Sequence, residues 1–355
     1  MAGVKVNAFL QPRVSICVPN LNTRPYLHER FETIFTQTFQ DWELIVYDSY
    51  SDDGAWEYIQ ELAAREPRMR ISQGPREGTP GSWNPCIAQA LGEYVYIATS
   101  DDTMAPDCLE KMVATLEAHP DCGLCQCGLV IIDEKGIPFP AERQWVHYTL
   151  GDYDHNLVQM KNKRLAPHDG IVHPALFTIY TSITQLLIRR SVFGKIGLFD
   201  GRWGSISDFE WEMRAGLVEN CIYIPDQLAT WRLHPNQATQ EVHTPKAKEK
   251  MIEMARTAFD RAQSCKGHRL QNINLDDFLY FLERDILEFE YDQAQGYAQK
   301  LRCLFGQLGR HPREVIDHVL ERFQKKQWGL FRNAVRHDRL KQTLEKCQVP
   351  LPIFE

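Results

Sequence analysis

Short apolar runs alternate with amphipathic stretches over the first third of this chain, and this rhythm restricts its fold more than any other feature. The runs at 14–18, 42–47 and 94–98 have the length and the β-branched or aromatic content of buried strands. A stretch with helical spacing follows each run. Strands and helices that alternate in this way predict right-handed βαβ units, and therefore a parallel sheet with helices on both faces.

The same patterns predict the remaining elements. Helices are expected at about 25–36, 55–65, 83–91 and 106–119, and further strands at 68–71, 128–132 and 180–188. Residues 148–174 are polar and without a clear period, which is typical of a lid or binding loop. After about residue 244 the pattern is helical, over 246–264, 276–308, 312–326 and 330–346. The sequence thus predicts an α/β domain over 1–240, followed by a helical domain over 241–355.

The totals describe an ordinary globular protein. The 355 residues are 43% hydrophobic and 25% charged, and no run approaches the roughly 18–20 apolar residues of a membrane span. No secretory signal is visible, and the ten scattered cysteines suit reduced thiols. We therefore expect a cytoplasmic protein, with the inner face of the membrane as its other location.

The net charge of −7 is unevenly distributed. Residues 1–243 hold 20 Lys and Arg against 31 Asp and Glu, whereas residues 244–355 hold 20 against 16. The acidic first part argues against nucleic-acid binding. Between 300 and 346, apolar side chains alternate with Arg and Lys, as on a helix that lies on an anionic membrane. Helices packed on the catalytic part, or a homodimer interface, are the favoured explanation, and peripheral membrane contact is the alternative.

Two adjacent carboxylates, Asp101 and Asp102, follow the apolar run at 94–98. Oxygen-preferring ions such as Mg²⁺ or Mn²⁺ bind such pairs, often together with a phosphate. The alternative is an acidic turn that opens the helix after Pro106. Because ligands bind beyond the carboxyl ends of parallel strands, the loops after Val18, Tyr47 and Ala98 are expected to share one rim.

Three more groups of residues are candidates for chemistry. Asp48 can accept a hydrogen bond from a nucleobase or a ribose, although Asp53 in the same loop is also typical of an Asx turn. Asp208 is placed to act as a general base, or else it is an acid favoured by a helix dipole. Arg232 suits a phosphate and His234 a metal, unless both are surface residues.

Taken in this order, the motifs of the chain resemble those of the inverting glycosyltransferases of family 2, which have the GT-A nucleotide-diphospho-sugar fold. The matching segments are 14–22, 37–39, 48–54, Gly78 with Asn84, 100–106, 190–200, Asp208 with Arg214, and Arg232 with His234. They cover about residues 12–240, with a donor half at 12–120 and an acceptor half at 121–240. The family often has an acid where this chain has Thr99, so the ligand assignment between Asp101 and Asp102 stays open. It often has a pair of acids where this chain has Ser207 and Asp208, so only one carboxylate is available there.

The resemblance implies a fold, ligands and site residues. The fold is a Rossmann-like mixed sheet, mainly parallel and flanked by helices. The donor is a nucleotide-diphosphate sugar used with Mn²⁺ or Mg²⁺, and the acceptor is a glycan or a lipid-linked molecule in bacterial surface polysaccharide or glycoconjugate assembly. The implied site consists of donor-binding Pro19, Asn22, Asp48, Ser51, Asp53, Asn84 and Arg232, metal ligands Asp101, Asp102 and His234, and the catalytic base Asp208.

Two other classes of protein are alternatives to a family 2 glycosyltransferase. A nucleotidyltransferase would carry a Gly-rich basic loop after the first strand, which the segment after Pro19 lacks. A catalytically inactive sugar-nucleotide-binding or scaffold protein of the same fold is the remaining alternative.

Overall fold

A computed structural model describes residues 11–140, 144, 150–151, 153–176, 178–235, 245–309, 311–328 and 334–355, without the side chains of 245–249, 289, 321–328 and 334–335. Nine strands form one mixed sheet. The strands are β1 Val14–Asn20, β2 Trp42–Asp48, β3 Met69–Gln73, β4 Tyr94–Ile97, β5 Cys122–Ile132, β6 Asn162–Arg164, β7 Leu186–Arg189, β8 Asn220–Arg232 and β9 Ile353–Phe354.

Helices cover the sheet and form the C-terminal part of the chain. The helices before residue 240 are α1 Arg24–Phe35, α2 Ala55–Ala63, α3 Gly78–Gln89, α4 Cys108–Ala118, α5 Asn156–Gln159, α6 His168–Ala175, α7 Arg190–Ile196 and α8 Ser207–Val218. Those after it are α9 Pro245–Ser264, α10 Leu275–Gln293, α11 Gly296–Leu308, α12 Pro312–Trp328 and α13 Ala334–Lys346.

The strand order places the carboxyl ends of six strands at one edge. The order is β3-β2-β1-β4-β7-β5-β8-β6-β9, and β1 runs parallel to both β2 and β4. Strand β7 is antiparallel to β4 and to β5, and β8 is parallel to β5. Strand β3 is parallel to β2, and the two reversals at β7 restore the direction, so β1, β2, β3, β4, β5 and β8 all point to one rim. The shared rim expected for the loops after β1, β2 and β4 is confirmed.

The predicted α/β fold with a helical C-terminal region is confirmed, and three segments differ. The strand expected at 180–188 is shorter, because Ser182 and Gln185 form a capping-box turn just before β7. The helix expected at 276–308 is two helices, separated where Gly296 adopts a φ of 77°. The irregular lid expected at 148–174 is wrong where the structure describes it, since β6 and α6 form there. All eight residues of α6 are buried, so its helical period is hidden in the sequence.

Helices α6 and α8 touch backbone to backbone. A Cβ added at Gly170 would lie 2.5 Å from the backbone nitrogen of Leu217, and one at Gly216 would collide with the backbone nitrogen of Gly170. Only glycine permits so close an approach. Because α8 carries Asp208 in its first turn, this contact fixes the position of that carboxylate in the fold.

The C-terminal helices share the core of the sheet domain. Phe259 and Leu340 belong to the same buried cluster as Trp211 of α8. Arg336 and Arg339 of α13, two of the basic residues in the predicted amphipathic pattern, form ion pairs with acids of α10 and α12. Trp328, Leu330, Phe331 and Val335 of that pattern lie outside the residues whose side chains are described. Among the helices that the structure describes, none is both long and apolar enough to span a membrane.

The contact between α6 and α8 generates a stability prediction. Replacing Gly216 by Ala should lower the free energy of unfolding by about 1–3 kcal/mol, because the added methyl group forces two packed backbones apart. Urea unfolding measures the change. Gly194→Ala in α7 is the matched control: an added Cβ meets nothing within 4 Å there, so this variant should be about 0.5–1 kcal/mol more stable than the parent. Equal stability of the two variants would contradict the contact.

Candidate functional site

The loop after β4 is attached to the end of β8. Residues 103–105 run antiparallel to residues 228–230, with a bridge between Met104 and Ala229. Backbone hydrogen bonds of 3.1 Å and 2.8 Å, donated by Thr230 and Ala105, close the pairing. Strands β7 and β5 lie between β4 and β8 in the sheet, so this loop pairing is what brings Asp101 and Asp102 to the residues that follow β8.

Asp101 and His234 face each other at the rim. The imidazole Nε2 lies 3.0 Å from Oδ2 of Asp101, whose side chain is 23% exposed. The ring centroid of Tyr26, in α1, lies 4.9 Å from that of His234. A carboxylate oxygen and an imidazole nitrogen at this separation are suitable ligands for one divalent ion.

Asp102 is turned inward. The residue is 2% exposed, and its Oδ1 accepts a hydrogen bond of 2.7 Å from the backbone nitrogen of Arg232 while Oδ2 accepts one from the Thr99 hydroxyl. Burial, and then the neighbouring Asp101 carboxylate, raise the pKa of Asp102 to about 8. Within the described part of the chain, Asp101, Asp102 and His234 do not form a group whose ligand atoms all lie within 4.8 Å of one another. The structure therefore brings two of the three predicted ligands together.

Arg232 is 1% exposed and holds the rim together. Its Nε donates to the Asp101 carbonyl at 2.6 Å, Nη1 donates to the carbonyls of Asp133 and Glu134 at 3.2 Å, and Nη2 pairs with Glu29 at 2.7 Å. A phosphate would have to displace the half-exposed Glu29 carboxylate to reach this guanidinium. Contact of Arg232 with a donor stays a prediction.

Asp48, at the end of β2, is fully buried. Its Oδ1 accepts from Asn20 and from the Ser51 hydroxyl, both at 2.6 Å, and its Oδ2 accepts from the Ser51 amide and from Gln73, both at 2.9 Å. These bonds tie the ends of β1, β2 and β3 into one rigid edge. The predicted contact of Asp48 with a nucleotide is not tested by this geometry.

The other predicted donor-binding residues organise neighbouring loops. Asn22 exchanges two side-chain hydrogen bonds of 2.9 Å with Asp52. Asp53 accepts from the backbone nitrogen of Ala55 at 3.1 Å, which is the Asx turn that its sequence allows. Asn84 exchanges hydrogen bonds of 2.9 and 3.1 Å with the backbone of Phe199, and so joins α3 to the loop before α8. Pro19 is buried in β1, beside this edge.

Asp208 lies apart from these loops, in the first turn of α8. It is partly exposed, and burial of the carboxyl group raises its pKa to about 6. Burial, and then Asp208 itself, raise the pKa of Glu212 well above its ordinary value. Burial lowers the pKa of His173 to about 3, and its Nε2 lies 3.7 Å from the Glu212 carboxylate. Burial thus favours the neutral forms of Glu212 and His173, whereas Asp208, with a pKa of about 6, is ionised at neutral pH.

Three residues near the rim were not predicted from the sequence, and all three lie on α1. Tyr26 stacks near His234, Glu29 pairs with Arg232, and Arg30 is fully buried with its guanidinium 5.9 Å from the ring centre of Tyr96. Their spacing of three and four residues places them on one face of the helix. This spacing was the only indication of these residues in the sequence, and it does not show which loop the helix face contacts.

The comparisons with known proteins agree with this geometry. The model of glycosyl transferase family 2 matches residues 15–184. The chain belongs to glycosyl transferase family 2. Asp101 and Asp102 lie within the region matched to this family, whereas Asp208, Arg232 and His234 follow it.

A relative of this family 2 chain is TuaG of Bacillus subtilis (strain 168), provisionally named a teichuronic acid biosynthesis glycosyltransferase. The two are 26% identical over 129 residues, which are 36% of this chain and 51% of TuaG. The chain spans about half the length of two of the first curated relatives that it matches. The alignments cover 46% of the first of these relatives and 51% of TuaG.

Two solved structures of glycosyltransferases share the GT-A fold of this family 2 chain. Residues 1–349 of S. aureus TarS, in complex with UDP-GlcNAc, superpose with a TM-score of 0.61 at 14% identity, over 95% of this chain and 91% of that one. The mannosyltransferase PcManGT of Pyrobaculum calidifontis, in complex with GDP-Man and Mn²⁺, gives 0.52 at 15% identity, over 96% and 88%.

The contacts of Arg232 generate a second stability prediction. Arg232→Lys should lower the free energy of unfolding by about 1–3 kcal/mol. The reason is that one ammonium group cannot replace a guanidinium that donates hydrogen bonds to three carbonyls and pairs with a carboxylate. Arg65→Lys, at an exposed position of the same domain, should change it by less than about 0.5 kcal/mol. Urea unfolding compares the two variants, and equal values would contradict the role of Arg232 in holding the rim.

Proposed function

We propose that the chain is a metal-dependent inverting glycosyltransferase. It would move a sugar from a nucleotide-diphosphate sugar to a hydroxyl group of a glycan or a lipid-linked acceptor, in the assembly of a bacterial surface polysaccharide or glycoconjugate. Family membership and the name of the relative TuaG support the reaction and its setting. The single observation that carries the proposal is the 3.0 Å approach of the Asp101 carboxylate to the His234 imidazole, held at the rim by Arg232 and Asp102.

The rim residues suit a divalent ion. Asp101 and His234 would hold it directly, and Asp102 would position the loop, since its own oxygens are bonded to Arg232 and Thr99. Burial, and then the neighbouring Asp101 carboxylate, raise the pKa of Asp102, and a bound cation would relieve the repulsion between the two carboxylates. Mn²⁺ or Mg²⁺ there would act as a Lewis acid that stabilises the negative charge on the departing diphosphate. Two solved structures with this fold, one with UDP-GlcNAc and one with GDP-Man and Mn²⁺, support a nucleotide sugar as the donor.

The donor would lie along the edge formed by β1, β2 and β3. The loops that carry Asn22, Ser51 and Asp53 are bonded to one another around Asp48, so the edge is already organised before a ligand arrives. A preorganised edge loses little conformational freedom on binding. Donor contacts of Pro19, Asn22, Asp48, Ser51, Asp53, Asn84 and Arg232 belong to this proposal.

Asp208 is the best-placed general base. Its pKa of about 6 leaves the carboxylate ionised at neutral pH yet basic enough to take a proton from an acceptor hydroxyl. The other carboxylates of α8 are less suitable as bases, because burial favours the neutral form of Glu212 and Glu210 is paired with Arg214 at 2.7 Å. One ionised carboxylate suits a single displacement, in which the acceptor oxygen attacks the anomeric carbon from the face opposite the diphosphate and inverts it.

Donor binding tests the metal site. With a panel of UDP- and GDP-sugars, the wild-type melting temperature should rise for its donor only when Mn²⁺ is present. Asp101→Ala should abolish this rise and weaken donor affinity at least about tenfold, because a direct ligand is lost. Asp107→Ala, an exposed acid farther along the same loop, should behave as wild type. A full Mn²⁺-dependent rise in Asp101→Ala would place the ion elsewhere.

Asp208→Asn tests the base. It should lower kcat at least about 100-fold while donor affinity changes less than about twofold, since general base catalysis supplies roughly 10²–10⁴ in rate. The wild-type rate should rise with pH up to about 6 and then level, because only the deprotonated carboxylate accepts a proton. Asp260→Asn, on the exposed side of α9, is the control and should keep wild-type activity.

Loss of donor binding together with activity in Asp208→Asn would make this residue part of the donor site. Donor binding without transfer or donor hydrolysis in the wild type would instead favour the inactive sugar-nucleotide-binding protein.

A further inference from the structure

A second group of metal-ligating side chains lies in the helical C-terminal region, away from the rim. It consists of Glu283 in α10, His311 in the turn before α12, and Glu314 in the first turn of α12. One ligand atom from each of the three lies within 4.8 Å of the other two. We refer to these three residues as the helical cluster.

Glu314 is the unusual member of the helical cluster. The residue is only 5% exposed. Among the residues whose side chains the structure describes, none donates a hydrogen bond to its carboxylate or forms an ion pair with it. Glu314 lies in the first turn of α12, where the helix dipole stabilises a negative charge. This stabilisation is smaller than the free-energy cost of burying a charge beside a second carboxylate. A buried carboxylate without a protein partner indicates a missing cation.

Glu283 and His311 provide the other side of the helical cluster. His311 Nδ1 lies 3.2 Å from Glu283 Oε2, and Arg256 approaches the other oxygen of Glu283 at 3.4 Å. Burial of Glu283 raises its pKa, and although His311 opposes this rise, the Glu314 carboxylate adds to it. One imidazole therefore faces two carboxylates, and no other cationic side chain that the structure describes pairs with Glu314.

We propose that Glu283, His311 and Glu314 bind a divalent transition-metal ion, with Zn²⁺ as the best match. Two carboxylates neutralise the charge of the ion, and imidazole nitrogen with carboxylate oxygen is an ordinary zinc ligand set. Ligand atoms about 2.1 Å from a shared ion lie at most about 4.2 Å apart. The ligand atoms of the helical cluster lie within 4.8 Å of one another, so a small rotation of a glutamate side chain would bring them to this distance. Three protein ligands leave the fourth position for water.

The ion would join α10 to the turn between α11 and α12. Helices α10 and α12 already pack against each other, with Arg313 of α12 paired to Asp277 of α10 at 2.8 Å. Metal bound across the two helices would stabilise the folded chain in proportion to the free ion concentration, because the unfolded chain does not hold the three ligands together. This role is independent of sugar transfer.

The test uses the full chain, stripped with a chelator, with ZnCl₂ as the probe. All variants carry Asp101→Ala, so that the rim does not contribute a second site. The parent should bind one equivalent of Zn²⁺ by calorimetric titration, and its melting temperature should rise by about 3–6 °C at a hundredfold excess over Kd. Added Glu314→Gln should weaken Zn²⁺ at least tenfold and remove the rise. Added Glu345→Gln, an exposed glutamate of α13, should leave both unchanged.

The same variants in chelator distinguish a metal site from a structural carboxylate. Without metal, Glu314→Gln should melt at or above the parent temperature, because it removes the repulsion from Glu283. A lower melting temperature in chelator would mean that Glu314 stabilises the fold through the protein itself, and this would overturn the proposal. Equal Zn²⁺ affinity in the parent and in Glu314→Gln, or no binding to the parent, would also overturn it. None of these outcomes bears on the transferase proposal, which the rim variants test.

Discussion

The antiparallel pairing between residues 103–105 and 228–230 is the contact on which the candidate site depends. In the sheet, β4 and β8 are separated by two strands, which at about 4.8 Å per strand spacing would hold their ends roughly 14 Å apart. The pairing carries the acidic loop across this gap, so that Asp101 reaches His234 at 3.0 Å. The edge formed by β1, β2 and β3 and the pair of Asp101 and His234 then lie at the same rim.

Burial divides the charged residues of the rim into two groups. Asp48, Asp102 and Arg232 are buried and saturated with protein hydrogen bonds, so they hold the loops. The side chain of Asp101 is 23% exposed and is the carboxylate that a ligand can reach, whereas the side chain of His234 is only 6% exposed and presents its Nε2 to Asp101. The raised pKa of Asp102 comes first from burial and then from the neighbouring Asp101 carboxylate, and a bound cation would lower this pKa.

Asp208 and the helical C-terminal region depend on the same packing. Helix α8 is pressed onto α6 through Gly170 and Gly216, and its Trp211 shares a core with Phe259 of α9. The C-terminal helices therefore support the element that carries the proposed base. Arg336 and Arg339 pair with acids of the same region, which agrees with the favoured explanation of packed helices.

The sequence by itself determined the strand and helix alternation, the common rim of the first loops and the acids that follow β4, because each is a local pattern of hydrophobicity or residue type. It did not reveal α6, since a helix buried on every side has no polar face to mark its period. Which carboxylate points outward was decided by the tertiary structure. Asp102 turns inward because its partner, the backbone of Arg232, lies 130 residues away and reaches it only through the pairing with β8. The helical cluster also requires the fold, because the turn of α11 and α12 against α10 brings Glu283 to His311 and Glu314.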